Sequence, residues 1–499
     1  MGQYRPSFAW TELTPGRWER DIDEIETFWA QAAKAHDTQG RKPFAITGHV
    51  SLRLDAAAAT SRPDINTALR KAWFAIRQDH PSIASRADYD FNAERFTRSY
   101  QTVRNNSERE VWLDATFHEV SSAQSGLEFA NSDPLAPDFP TIFVVTPSAE
   151  NAFEYRDIIF RAPHDTIDGV GTLLLLGNFL KHASDALDQG SDYILPELNG
   201  TEAKNLSPPY RTAAAVPRTL GADQEEKVEK LASEHIFFSR SNEPKKYLSL
   251  PFRQGAQVPG RHQIVQITLD QTKSSRIRDA CRAINATVTQ AFNAAVPMVL
   301  RDLAHSSTHN ARLFYRCDLL RNLRPFCITP FNTSKHPVTA YHAGSSFGLE
   351  IEVPVPSNRQ SSRADFHRVL HEMRTFYRRV ADDPDHWYLA PYIWTGWLQG
   401  LPRLRKDPVP GPPPSPTPGV TLSSLGRIDD IIPPTIGCLR VSKPWITGEE
   451  MGNGCGLFLT SYQGEMTLTA AYNDAWQDKE DIQGLLQACI DIVCASLNI

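Results

Sequence analysis

The first 280 residues contain no cysteine, and the seven that follow (Cys281, Cys317, Cys327, Cys438, Cys455, Cys489 and Cys494) include no Cys-x-x-Cys pair. That distribution disfavours a zinc ribbon and a disulfide framework, so buried, reduced thiols are expected. No apolar run approaches the roughly 20 residues a bilayer-spanning helix needs. There is no long basic run, and the formal charge of the 499 residues is −6, so a nucleic-acid partner has no electrostatic basis. The start of the chain lacks the apolar core of a signal peptide, and Pro6 stands where a myristoylation pattern wants Ser or Thr. These absences lead us to expect a cytoplasmic protein without membrane or nucleic-acid partners.

What is present is a mixed, globular composition, 41% apolar and 22% charged, enough for one large core or two ordinary ones. Residues 18–33 read as an amphipathic helix. Segments 141–147 and 153–163 flank the polar turn "SAENA" and read as a β-hairpin. A helix apolar nearly all round follows from residue 169. The polar, proline-bearing stretch 195–220 reads as a connection, and 223–234 as a charged helix. A second half restarts with the strand pattern "HQIVQITL" (262–269). Two helical patterns joined at 286–287 come next, then strands, a long amphipathic helix over 361–383, and a final strand and helix. The run "PVPGPPPSPTPG" (408–419) can be neither helix nor interior strand, because proline fixes φ and removes donors. The expectation is an α/β (α+β) protein in two parts, 1–200 and 236–499, connected through 201–235.

The stretch "RAPHDTIDGVGTLLLLGNFL" (161–180) carries the chemistry. Of fifteen histidines only His164 has aspartate four residues on with glycine directly after. Pro163 ends the preceding strand and keeps Ala162 extended, which puts His164 at a strand end. A neutral imidazole there can take a proton from a hydroxyl or amine. Asp168 and Gly169 open the helix, and Gly169 allows close approach to its first amides. Local sequence allows a plainer account too: Asp168 as an N-cap and His164 as a satisfied loop histidine.

Strand, HxxxDG and apolar helix together resemble the CoA-dependent acyltransferase superfamily. That group includes chloramphenicol acetyltransferase, the plant BAHD acyltransferases and the condensation domains of peptide synthetases. "CRAINATVTQAFNAAVPMVL" (281–300), "CDLLRNLRPF" (317–326), "VTLSSLGRIDD" (420–430) and "LTSYQGEMTLTAAYNDAW" (459–476) extend the resemblance over nearly the whole chain. The tryptophan-bearing start, HxxxDGVGT and SSLG are most similar to the fungal trichothecene 15-O-acetyltransferase group. The BAHD motif DFGWG is absent, and Pro163 stands where condensation domains usually carry a second histidine.

The resemblance implies two chloramphenicol-acetyltransferase-like halves around a tunnel, and a fungal enzyme of secondary metabolism. It implies transfer of an acyl group, expected to be acetyl, from acyl-CoA to a hydroxyl of a small apolar natural product. His164 would be the general base, and Asp168 a structural anchor for an arginine, Arg324 or else Arg321. Gly169, Ser423 and Ser424 would be donors near the oxyanion. No permanently bound cofactor or metal is implied, acyl-CoA being a co-substrate, and a monomer is expected. The alternative is a condensation-like enzyme that uses a carrier-protein thioester or an amine acceptor, or that catalyses non-acyl chemistry such as cyclisation. The i,i+4 pairs His305/His309 and His367/His371 lack a third ligand and read as surface positions. The aromatic run 385–400 reads as packing, with the lining of an acceptor pocket as its other reading.

Overall fold

Ten residues, Ala45–Leu54, alternate apolar and polar yet are buried almost throughout, the pattern of a strand covered on both faces. In the computed structural model, which describes residues 6–35, 44–54, 64–146, 155–239, 245–304, 312–353, 363–406 and 413–499, this strand sits at the centre of a six-stranded sheet. The order is Thr435–Ile436, Leu439–Gly448, Ala45–Leu54, Tyr155–Pro163, Thr141–Thr146, Phe117–Ser121, antiparallel except for the last pair. Ile46, Val50 and Leu52 face the helices Ile65–Asp79 and Gly169–Gln189, whose Leu69, Trp73, Leu173, Leu176 and Phe179 complete one core. The opposite face carries His49, Ser51 and Asp157, which satisfy one another by hydrogen bonds.

The second sheet runs His262–Leu269, Glu465–Asn473, Cys455–Tyr462, Val420–Arg427. Its core is built with the helices Gln271–Ala283, Val288–Ala304, Arg363–Ala381 and Lys479–Leu497. This is the mixed α/β architecture expected. The sheets do not follow the segment boundaries in sequence, because Leu439–Gly448, from the last part of the chain, pairs with Ala45–Leu54 in the first sheet. Asn131 adds a second tie by exchanging hydrogen bonds of 2.7 and 2.9 Å with the backbone of Ile264. The stretch 195–220 is packed rather than solvated: Glu202 accepts from the Tyr100 hydroxyl at 2.9 Å, and Tyr210 is buried.

One expected helix starts late. Arg17–Asp21 is a strand, and the helix spans Glu24–Ala35. The reason is local: the Asp23 carboxylate accepts from the amides of Ile25 and Glu26, capping the helix at that point. The two hairpin arms pair as expected, while their turn lies outside the described residues. So do His305 and His309 and the first residues of the proline run. All seven cysteines are free, and all but the half-buried Cys494 are buried.

Candidate functional site

The strand Tyr155–Pro163 delivers His164 to the wall of a cavity of about 240 Å³ between the two sheets. Gly169, Ser423 and Ser424 line the same cavity, together with Trp29, Phe44, His342 and Glu450. The His164 amide donates to the Phe44 carbonyl at 3.2 Å, fixing the backbone where it leaves the sheet. Its imidazole lies flat on the Trp29 indole, with ring centroids 3.8 Å apart and planes within 8°. Nδ1 is buried and has no hydrogen bond of ordinary geometry. Burial pulls the imidazole down to about 4, against the opposing pull of the nearby backbone carbonyls and of Asp168. At neutral pH His164 is therefore uncharged and able to accept a proton.

Asp168 is both the cap its position suggested and the arginine partner the resemblance implied. As N-cap of Gly169–Gln189 it accepts from the Gly171 amide at 2.7 Å. Both its oxygens also accept from Nη1 of Arg324 at 2.8 Å, and Oδ2 accepts from the Tyr341 amide at 2.7 Å. Burial alone would raise this carboxyl, but Arg324, His342 and the cap amide outweigh it and hold it below the usual carboxylate range. Arg324 is itself buried, and its Nη2 donates to the Thr339 hydroxyl at 2.9 Å. Arg321 goes elsewhere: it donates to the Val380 carbonyl at 2.8 Å and lies over Phe326. The arginine left open between 321 and 324 is thus Arg324 in the structure.

The Asp168–Arg324 pair explains Gly171. A Cβ there would stand 2.2 Å from the Pro337 carbonyl and 2.8 Å from Nη2 of Arg324. Gly171→Ala should therefore cost about 1–3 kcal/mol through forced backbone movement, read as a lower midpoint in thermal unfolding. Gly169→Ala, whose Cβ would meet the Leu425 and Ile446 side chains at 3.3 and 3.9 Å, should cost less.

The serines differ. Ser424 shares a 2.8 Å hydrogen bond with Thr289, whereas Ser423 lines the cavity from the neighbouring position of Val420–Arg427. Trp29, Phe44, His342 and Glu450, all at the site, had no sequence signal. His342, on the strand His342–Gly344, accepts from the Trp29 indole at 3.1 Å, and its ring centre lies 5.2 Å from that of His164. Accepting at Nε2 places the proton of the neutral ring on Nδ1, which sits 3.9 Å from Asp168. No spacing rule connects residues 29, 164 and 342, since only folding brings them together. The aromatic run at 385–400 forms the helix His386–Leu398 behind this pair, with Trp394 donating to the His342 carbonyl at 2.9 Å and packing on Phe28 and Trp29. It is packing. His367 and His371 lie on the helix Arg363–Ala381, and among the described residues no cluster of three or more metal-binding side chains occurs. Nor is any described helix long and apolar enough to cross a membrane.

No protein-family model matches the chain. It is 24% identical to the O-acetyltransferase pigM of Monascus ruber over 96% of this chain and 85% of that protein. It is also 24% identical to the azaphilone biosynthesis cluster protein M of Aspergillus terreus, over 68% of this chain and 78% of that one. Among solved structures it resembles the TRI3 trichothecene 15-O-acetyltransferase from Fusarium sporotrichioides, with a TM-score of 0.80 at 16% identity, covering 99% and 100% of the two chains. The condensation domain of the monacolin K polyketide synthase MokA matches with a TM-score of 0.58 at 13% identity, covering 96% and 98%. The chain is an acyltransferase of the fold that the trichothecene 15-O-acetyltransferase shares with condensation domains.

Proposed function

We propose that the chain transfers an acetyl group from acetyl-CoA to a hydroxyl of a small, largely apolar secondary metabolite, with His164 as the general base. The observation that carries this reading is a neutral, plane-fixed imidazole on the wall of a mostly apolar cavity between two sheets. The name of the Aspergillus terreus relative makes a hydroxylated azaphilone a natural first acceptor.

Nε2 of His164 takes the acceptor's hydroxyl proton while the oxygen attacks the thioester carbonyl carbon. A base as weak as this one removes the proton only as the new C–O bond forms. Negative charge then gathers on the carbonyl oxygen, where the Gly169 amide and the Ser423 hydroxyl are the available donors. The Gly169 N–H is the first of its helix and has no intrahelical acceptor. Collapse breaks the C–S bond, and the sulfur takes the proton back from the imidazolium, leaving an acetyl ester and CoA. Asp168 handles no proton in this scheme. With Arg324 and Tyr341 it holds the loop after His164 in place.

The test is incubation of the protein with acetyl-CoA and hydroxylated azaphilones, following ester formation by mass spectrometry and CoA release by thiol titration. Absence of any ester while CoA is released by hydrolysis alone would overturn acetyl transfer to a hydroxyl. The pH profile of kcat/KM adds a check on the base. An ordinary histidine would halve the rate near pH 6.5, whereas His164, at about 4, should keep it level through that point. Stability has the opposite sensitivity. His164, His80 and His342 sit at about 4, 4 and 3 when folded. Between pH 6.5 and 4 the unfolded chain therefore binds protons that the folded chain refuses, and stability falls as the pH drops through that window.

A further inference from the structure

The register of the first sheet can be carried one step past its last paired residues. Ala45 lies opposite Pro163, and the Glu449 amide donates to the Ala45 carbonyl at 2.8 Å. The next position on each strand is therefore His164, Phe44 and Glu450, three neighbours across three strands. Cross-strand neighbours in register point to the same side, and all three line the same cavity. Two strand spacings separate the backbones of His164 and Glu450, about 10 Å, with the Phe44 ring between them.

Glu450 differs from the other acidic groups there. Asp168 is paired with Arg324, and Glu449 accepts from the Ala45 amide at 3.0 Å. Among the described residues, Glu450 accepts only from the Gly452 amide, at 3.2 Å, and no cation pairs with it. Of the other charged groups lining the cavity, Arg324 is committed to Asp168 and Arg321 to the Val380 carbonyl. Burial pushes the Glu450 carboxyl up to about 7. A half-buried carboxyl on an apolar wall with a single amide donor and no charged partner has unused acceptor capacity, which costs free energy unless a ligand supplies a donor.

We propose that Glu450 is the polar anchor of the acceptor subsite: the acceptor lies with an apolar face on Phe44, one hydroxyl at His164 and a second hydroxyl, about 10 Å away, donating to Glu450. The acceptor class is thus a hydroxylated scaffold with at least two hydroxyls at opposite ends of an apolar body. The inference rests on the acetyl-transfer reading for its naming of the His164 end, but Glu450's role in binding can be measured without turnover.

The experiment is isothermal titration of a dihydroxylated azaphilone, and of its analogue lacking the distal hydroxyl, into the wild-type chain, Glu450→Leu and Glu450→Gln. At pH 8.5, on the ionised side of the Glu450 carboxyl's value of about 7, the wild type should bind the diol roughly tenfold to a hundredfold more tightly than the analogue, the range expected for a hydrogen bond to a charged group. Glu450→Leu should abolish that preference while binding the analogue no worse. Glu450→Gln, which keeps an acceptor oxygen, should retain part of it and guards against a merely misfolded Leu variant. Equal affinity of the wild type for both compounds, or the same loss for both on substitution, would overturn the proposal. In parallel, the acetyl-CoA KM should be unchanged in Glu450→Gln, and a rise in that KM rather than the acceptor's would move Glu450 to the donor side and overturn it as well. Absence of acetyl transfer with the diol preference intact would count against the transfer reading alone.

Discussion

Replacing His164 by alanine should lower acetyl transfer by roughly 10²–10⁴-fold, the usual share of a positioned general base, while leaving the fold in place. The second half of that expectation follows from the surroundings. The His164 side chain makes no hydrogen bond of ordinary geometry through Nδ1, and its main contact is the face of Trp29. The backbone bond to Phe44 survives the substitution, and Trp29 keeps its bond to His342. The melting midpoint should therefore move little. The informative comparison is kcat against acceptor affinity: a lost base lowers kcat and leaves binding near its wild-type value. Unchanged turnover in His164→Ala would remove this residue from the chemistry, whatever its position.

The second large effect is on stability. Arg324→Ala should destabilise the chain by about 3–5 kcal/mol, because it leaves the buried Asp168 carboxylate without its cation. It also takes from the Thr339 hydroxyl the donor that Nη2 supplies at 2.9 Å, leaving it a 3.5 Å hydrogen bond to the His336 carbonyl. Arg321→Ala, only three residues earlier, removes one hydrogen bond to a carbonyl and contact with Phe326, and should cost nearer 1 kcal/mol. Arg324→Lys should not rescue, since an ammonium cannot supply the planar fork that reaches Asp168 on one side and Thr339 on the other. Denaturant unfolding of the three variants side by side measures the difference. Equal losses for Arg321→Ala and Arg324→Ala would contradict the division of labour seen in the structure. Activity should fall further than stability in Arg324→Ala, because Asp168 ties the loop after His164 to the segment 337–341.

Much of the framework was legible along the chain because it depends on neighbours in sequence. The helix Gly169–Gln189 is marked by Asp168 as its cap and by a leucine run as its buried face. The strand His262–Leu269 is marked by alternation, and the joint between Ala283 and Val288 by the break in helical period. The helix expected from residue 18 begins instead at Glu24, where two amides find the Asp23 carboxylate. In that case capping outweighed periodicity. The choice between Arg321 and Arg324 could not be made from "LLRNLRP", because which arginine turns inward depends on the short helix Arg324–Phe326 and on the Thr339 segment it meets.

By itself, then, the sequence determined the class of fold, the strand end that presents His164, and the cap that holds the following helix. These rest on local backbone preference and on the period of apolar residues. Only the tertiary structure decided what surrounds the imidazole. The Trp29 stack, the His342 acceptor, the close approach at Gly171 and the row His164–Phe44–Glu450 each join residues far apart along the chain. Such contacts are set by strand register and by packing, and no period or spacing in the sequence encodes them.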